Sequence, residues 1–449
     1  MSQLKQIHAQ MLRTGLFFDA FTASKIVAFC ALEDSGSLDY ARLVLSQISN
    51  LTIFTCNSII RGYTNRDCPR EAILFYREMI FNGLEADRFP FPSLLKSCGD
   101  LREGKQLHCH STKLGFASDS FVQNTLINMY SNCGCLVSAR KMLEKMAERT
   151  VVSWATMIGA YAHWDQPTEA LELFERMMSE NEKPNEVTLV NVLSACAKAR
   201  DLEMAKRVHN CVDESGFGYH VKLNTALMDV YCKCGCVSLA RDLFDKMPEK
   251  NLFCWNVVIN GHVEDSDNKE AFLLFREMQL KGEKGDKVAL VSLLLACSHL
   301  GALKLGKWLH AYIKKGTIEV DVTLGTALVN MYAKCGGIES ALDVFQELPK
   351  KDVMTWTALI TGLAMCGEGE MALEYFHEMQ KSGVKPDAVT FVGILAACSH
   401  AGRAGRIVEA GELIRKMPKA PDRFVLEAFL VPAESMETSK WLKELLDHS

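Results

Sequence analysis

Prolines are few for a chain of this length, 11 in 449 residues, and no low-complexity tract interrupts the sequence. That scarcity argues against flexible linkers and long disordered segments. No apolar run is long enough to span a bilayer. The longest, Val288 to Cys297, is broken by Ser292 and leads straight into Ser298 and His299. A positive balance is missing as well. The net charge is −5, so the whole-chain basic footprint of many nucleic-acid binders is absent, and any phosphate contact has to come from a local stripe. Among the 17 cysteines there is no Cys-x-x-Cys. Cysteines spread this way through a large chain do not read as a disulfide framework, and a reducing compartment suits them better.

What is present is repetition. The string YSNCG begins at Tyr130, YCKCG at Tyr231 and YAKCG at Tyr332, each step being 101 residues. His108, His209 and His310, all in Lys-x-hydrophobic-His, keep the same spacing, as do Trp154, Trp255 and Trp356. The block divides into an opening unit of 35 residues (151–185), a middle unit of 35 (186–220) and a closing unit of 31 (221–251). The earlier middle unit, 88–119, is three residues short, and the deletion is expected between its two helices, where loop length is free to change. Within a unit, Trp154, Met157, Ile158 and Tyr161 mark one apolar helical face, and Ala170, Leu173, Phe174 and Met177 mark another. Pro167 stands near the start of the second helix, and Gly383 with Pro386 ends its counterpart in a later unit. One such hairpin cannot bury its own face, so neighbours must stack.

The phrases VVSWATMIGAY, NMYAKCGGIESALDVF and VTFVGILAACSHAG, with the recurring KPD, resemble the pentatricopeptide repeat proteins of plants. The rotation of lengths resembles the PLS subclass, whose P, L and S units correspond to the opening, middle and closing units here. The resemblance implies an all-α fold, a right-handed superhelical solenoid of helix-turn-helix repeats. Eleven units are expected: 20–52, 53–87, 88–119, 120–150, 151–185, 186–220, 221–251, 252–286, 287–321, 322–352 and 353–387. Residues 1–19 resemble the second helix of an L unit, so the chain is expected to start inside a repeat, with no transit peptide visible. After Gly402 the sequence passes directly into RAGRIVEAGELIRKMPKAPD, with Ala-Gly at 401–402 and again at 404–405. Residues 388–421 therefore read as a fused or truncated repeat, and 422–449 as a remnant of the family's E region.

The resemblance also implies a function: specific binding of single-stranded RNA in a mitochondrion or chloroplast, as a site-recognition factor in C-to-U editing or other processing. A deaminase would then act in trans, and the chain itself would be a monomer with no cofactor and no membrane contact. In the family, position 5 and the last residue of a unit read one base. Those places hold Asn57 with Asp87, Asn124 with Thr150, Ala155 with Asn185, and Thr225 with Asn251. They continue with Asn256 and Asp286, Thr326 and Asp352, and Thr357 and Asp387. Turn and capping chemistry explains the terminal Asp and Asn alone, but not polar residues recurring inside apolar helices. Middle units carry Pro92, Val190 and Val291 at position 5 and are expected to discriminate little. By analogy the chain reads 5′-U-N-Y-N-N-A-U-N-G-G. Position 2 of the opening units, Phe54, Val152, Phe253 and Met354, is expected to wedge against base faces. Lys198, Lys233 and Lys334, at position 13, either meet phosphates or are solvated surface lysines.

An enzyme reading finds little support. A zinc cytidine deaminase needs His-x-Glu and Cys-x-x-Cys; only His262-Val263-Glu264 is present, and His262 falls on the apolar face that begins at Trp255. Cys133, Cys234 and Cys335 recur once per block, as small buried packing groups would, and alternate cysteines at a helix end do not converge on a tetrahedral ion. A tetratricopeptide-like protein scaffold would share the hairpins, but it keeps a constant period of about 34 residues.

Overall fold

The computed structural model describes residues 1–48, 51–216 and 220–400, the last three as backbone only. The join after Gly402 and the E-region remnant lie outside these residues. Among the described residues there are 24 α-helices, two short 3-10 turns and no strand. First helices start at Ala20, Ile53, Ser120, Val151, Glu186, Val221, Leu252, Lys287, Val322 and Val353. Second helices follow after a tight turn, with Pro69 and Pro167 at their first positions, where a missing N–H costs no hydrogen bond. Second helices of the closing units have 10 residues, as in Val237–Lys246, against 13 in Pro167–Ser179, which accounts for most of the shorter period.

The short middle unit departs from expectation. Its first helix, Pro90–Ser97, has 8 residues where Glu186–Ala199 has 14, while its second helix, Leu101–Lys113, keeps the usual 13. The deletion thus removes the last turn of a helix rather than connecting loop.

The chain divides into two compact units, Met1–Ala226 and Leu227–Ser449. In the first, the helices Ala20–Leu32, Ile53–Asn65, Pro90–Ser97, Ser120–Asn132, Val151–His163 and Glu186–Ala199 pack in sequence, each on the next. In the second, the same row runs through Leu252–Glu264, Lys287–Leu300, Val322–Lys334, Val353–Met365 and Ala388–His400. Second helices pack against this row; Pro167–Ser179, for example, packs on its own first helix and on the following one. Trp154 and Trp255 are fully buried.

The 101-residue markers have structural causes. His108 and His310 bond through Nδ1 to the hydroxyls of Tyr130 and Tyr332, both at 2.8 Å, tying a middle unit's second helix to the next first helix. His8 makes the same 2.8 Å contact with Tyr40. The glycine after each recurring cysteine takes a left-handed φ, +72° at Gly134 and Gly235 and +77° at Gly336, which turns the chain into the second helix. Arg149, Lys250 and Lys351, also 101 apart, donate to carbonyls at the end of the preceding helix or turn, at 3.1, 2.7 and 2.8 Å for Leu143, Met247 and Leu348.

Candidate nucleic-acid interface

The last residue of a unit caps the next first helix. Thr150 accepts from Ser153 N, Asn185 from Thr188 N, Asn251 from Cys254 N, Asp286 from Ala289 N, Asp352 from Thr355 N and Asp387 from Thr390 N. Capping alone therefore selects Asp, Asn and Thr here. Asp87 is the exception in position: it accepts from Phe89 N at 3.1 Å while the helix begins at Pro90.

Most of the expected pairs come together. Asn57 donates through Nδ2 to Asp87 Oδ1 and Asn256 through Nδ2 to Asp286 Oδ2, both at 2.9 Å. The threonine pairs meet through a third residue. Thr326 Oγ1 lies 2.7 Å from Thr355 Oγ1, which donates to Asp352 Oδ1 at 2.7 Å. Thr357 Oγ1 lies 2.6 Å from Thr390 Oγ1, which donates to Asp387 Oδ1 at 2.8 Å. Asn124 and Thr150 share no side-chain bond among the described residues, and Ala155 has no polar side chain to join to Asn185. Ala155 is buried, with its carbonyl accepting from Asn191 Nδ2 at 3.1 Å, and Asn185 Oδ1 is used by the amide and hydroxyl of Thr188. Thr225 and Asn251 fall in different compact units; Thr225 Oγ1 donates to Val221 O, and Asn251 caps its own helix.

One position stands out for what it leaves unmade. Asn57, Asn124 and Asn256 all occupy position 5, and the Oδ1 of each is buried with no hydrogen-bond partner among the described residues. At 57 and 256 the amide orientation follows from the bond that Nδ2 gives to a carboxylate; turning it over would oppose two acceptors. A buried acceptor left bare costs about 1–3 kcal/mol. Three at one repeat position point to a ligand that supplies the donor.

Beside these acceptors stand exposed apolar side chains. Phe54, Val152, Phe253 and Met354 are all more than half exposed, at 52, 55, 66 and 63%. The same position also exposes Phe21, Phe89, Phe121, Val187, Val288 and Val389, which the sequence reading passed over. Their signal was present: an apolar residue at position 2 of nearly every unit, out of phase with the buried face. Lys222 and Thr323 are the departures. In one cleft of about 830 Å³, Phe54, Asn57, Arg61, Asp87 and Phe89 come together; in another of about 420 Å³, Val152, Ala155, Asn185 and Val187 do. Each cleft is lined by apolar position-2 side chains of successive units together with position-5 and terminal residues.

The three lysines separate. Lys198 Nζ donates to Ala162 O at 2.6 Å, capping the preceding first helix, and lies 3.6 Å from Asp165. Lys233 pairs with Asp229 at 2.8 Å on its own helix. Lys334 is exposed. His262 is buried, its Nδ1 3.4 Å from Asp267 Oδ2. Among the described residues no group of three or more His, Cys, Asp or Glu side chains could hold a metal ion, and no helix is long and apolar enough to cross a membrane. Cys335 and Cys366 are instead donors, their thiols 3.4 and 3.5 Å from the carbonyls of Cys297 and Ala333.

Comparison with known proteins gives concordant matches. The PPR repeat family matches residues 149–198 and 351–400, and the PPR repeat matches 54–84, 124–151, 187–217, 225–252, 253–283 and 326–353. A mitochondrial pentatricopeptide repeat-containing protein of Arabidopsis thaliana is 35% identical over 95% of this chain and 73% of its own length. A chloroplastic one from the same plant is 38% identical over 90% of this chain and 59% of its own. Among solved structures, the pentatricopeptide repeat protein PPR10 in complex with an 18-nt psaJ RNA element aligns with a TM-score of 0.75 at 18% identity, over 94% of this chain and 62% of that one. PPR10 from maize aligns with a TM-score of 0.65 at 17% identity, over 100% of this chain and 77% of that one.

Proposed function

This chain belongs to the PPR repeat family, and on that premise we propose that it holds a specific stretch of single-stranded RNA along its first helices, one base per unit. The observation that carries the reading is the set of unpartnered Oδ1 atoms at Asn57, Asn124 and Asn256, two of them already oriented by a carboxylate. An unstacked base offers imino and amino donors on its Watson–Crick edge, and its faces fit between the exposed position-2 side chains. A solved structure of the same fold was determined in complex with an RNA element, which supports RNA as the ligand.

The finer assignments follow from family analogy. The units rotate as in the PLS subclass, and the bases favoured are U for Asn with Asp, A for Thr with Asn, and G for Thr with Asp. The RNA is an organellar transcript, in keeping with relatives named mitochondrial and chloroplastic. The role is site recognition for C-to-U editing, with the deaminase supplied by a partner and the chain acting as a monomer. Gel shifts with 5′-U-N-Y-N-N-A-U-N-G-G and with its two final bases changed to C test the reading. Preference for the G-ending oligonucleotide is expected; equal binding of both would sink the assigned register.

A further inference from the structure

The middle units carry a feature that base reading does not explain. Position 1 of a unit is uncharged at Ala20, Ile53, Ser120, Val151, Val221, Leu252, Val322 and Val353. It is charged only at Arg88, Glu186 and Lys287, one in each middle unit. In every case the charge faces the last residue of the same unit. Arg88 Nη1 lies 3.1 Å from Asp119 Oδ2, Glu186 Oε2 3.6 Å from His220 Nδ1, and Lys287 Nζ 3.0 Å from Asp321 Oδ2. The central pair reverses the residue types, with a carboxylate at position 1 and an imidazole at the end. What the position keeps is a partner for the terminal side chain, not a particular charge.

The carboxylate oxygens show what the pairing does. Asp119 and Asp321 cap the next helix through Oδ1, leaving Oδ2 for the position-1 cation. Asp286 caps in the same way, but its Oδ2 takes the position-5 amide of Asn256. Asp352 and Asp387 cap through Oδ1, and no side chain among the described residues binds their Oδ2. The terminal side chain thus meets a position-1 charge in middle units and the position-5 amide at Asp87 and Asp286, while Asp352 and Asp387 keep an Oδ2 that no side chain among the described residues binds. The leading bond to Asp321 is the backbone N–H of Leu324, with Lys287 next, and together they hold its carboxyl below the ordinary range.

We propose that Arg88, Glu186 and Lys287 are specificity-determining residues that act by subtraction. Each engages its unit's last side chain, so that the unit passes a base without reading it. The proposal rests on the RNA-reading function above. It adds to the effect of Pro92, Val190 and Val291, which leave position 5 without a polar group. A half-exposed ion pair is weak, so the subtraction is a bias that one substitution removes.

The test uses the full chain and RNA oligonucleotides carrying each of the four bases opposite unit 287–321. Val291→Thr restores the hydroxyl found at Thr326 and Thr357 but leaves Asp321 engaged. Lys287→Ala with Val291→Thr restores the hydroxyl and releases Asp321. The double variant is expected to prefer G, by up to about fivefold more than Val291→Thr alone, the scale of one exposed ion pair. Lys287→Glu with Asp321→His and Val291→Thr rebuilds the pairing of Glu186 and His220, and is expected to match Val291→Thr alone. Equal preference in the single and double variants, or none in the double, overturns the proposal. Asp352→Asn, on a second set of oligonucleotides carrying each of the four bases opposite unit 322–352, is the control: if it leaves its own base choice unchanged, the RNA-reading function fails first and takes the proposal with it.

Discussion

At the scale of single residues, the last position of a unit caps the next helix, and under the proposed function it has a second, separable duty, reading. Asn and Asp are comparable N-caps, so Asp352→Asn is expected to leave the melting temperature nearly unchanged. Its effect should appear in binding instead, as a shift from G toward A opposite that unit and a loss of about 1–3 kcal/mol for the original RNA, the scale of one mismatched base pair in DNA recognition. A melting shift without a change in base preference would mean that capping is its whole role. The lysines separate in the converse way. Lys198→Ala removes a donor from a helix-end carbonyl and is expected to cost about 0.5–1.5 kcal/mol of stability. Lys334→Ala should leave stability alone and reduce the salt dependence of RNA binding by about one phosphate contact. Histidine sets a pH dependence. Burial, the larger cause at both His108 and His310, holds their imidazoles below the ordinary 6.5. As pH falls through 6.5 the unfolded chain takes up these protons before the folded one does. Stability contributed by the neutral imidazoles is therefore full above that value, declines below it, and levels off once the folded-state histidines also protonate. Urea midpoints between about pH 7.5 and pH 5 should show the decline, and His310→Gln should make it shallower.

At the scale of elements, first helices are held at close range. An added Cβ on Gly362 would lie 2.2 Å from Ala333 Cβ, and one on Gly62 would lie 2.7 Å from the carbonyl oxygen of Ala31. Alanine favours a helix over glycine by about 1 kcal/mol, but forcing a rigid neighbour aside costs about 1–3 kcal/mol. Gly362→Ala is accordingly expected to lower the melting temperature, and a raised one would show that the helices slide apart freely. The helix ends are joined too: Arg66, Trp164 and Lys198, like Cys335 and Cys366, donate to carbonyls near the C-terminus of the preceding first helix. Much of this was legible beforehand. The period and the apolar faces marked the helices at Val151–His163 and Pro167–Ser179, since burial in a stacked hairpin has to follow the 3.6-residue repeat. Two things were not. The shortened helix Pro90–Ser97 was misread because a deletion shows only its length, not which flank gives way. The middle-unit ion pairs join residues about 30 apart whose meeting depends on how the hairpin closes.

At the scale of the molecule, the exposed apolar surface at position 2 is unevenly distributed. Phe21, Phe54, Phe89 and Phe121 fill position 2 of four successive units, and Val152 and Val187 follow them. Stacking on an aromatic ring is worth about 1–3 kcal/mol per base, more than a small aliphatic side chain supplies. Phe54→Ala should therefore weaken RNA binding by about that amount, and Val152→Ala by distinctly less, in titrations with the same oligonucleotide. An equal loss would mean that position 2 serves packing of the protein rather than contact with bases. The use of one side chain for both cap and readout, as the proposed function has it, carries a consequence for descent. The residues that suit the reading place are drawn from the same short set that suits the end of a helix, and Asp and Asn differ by a single change in a codon. A lineage of such chains can wander from one transcript to another through neighbours that all fold, so new targets arise by drift before any selection for them begins.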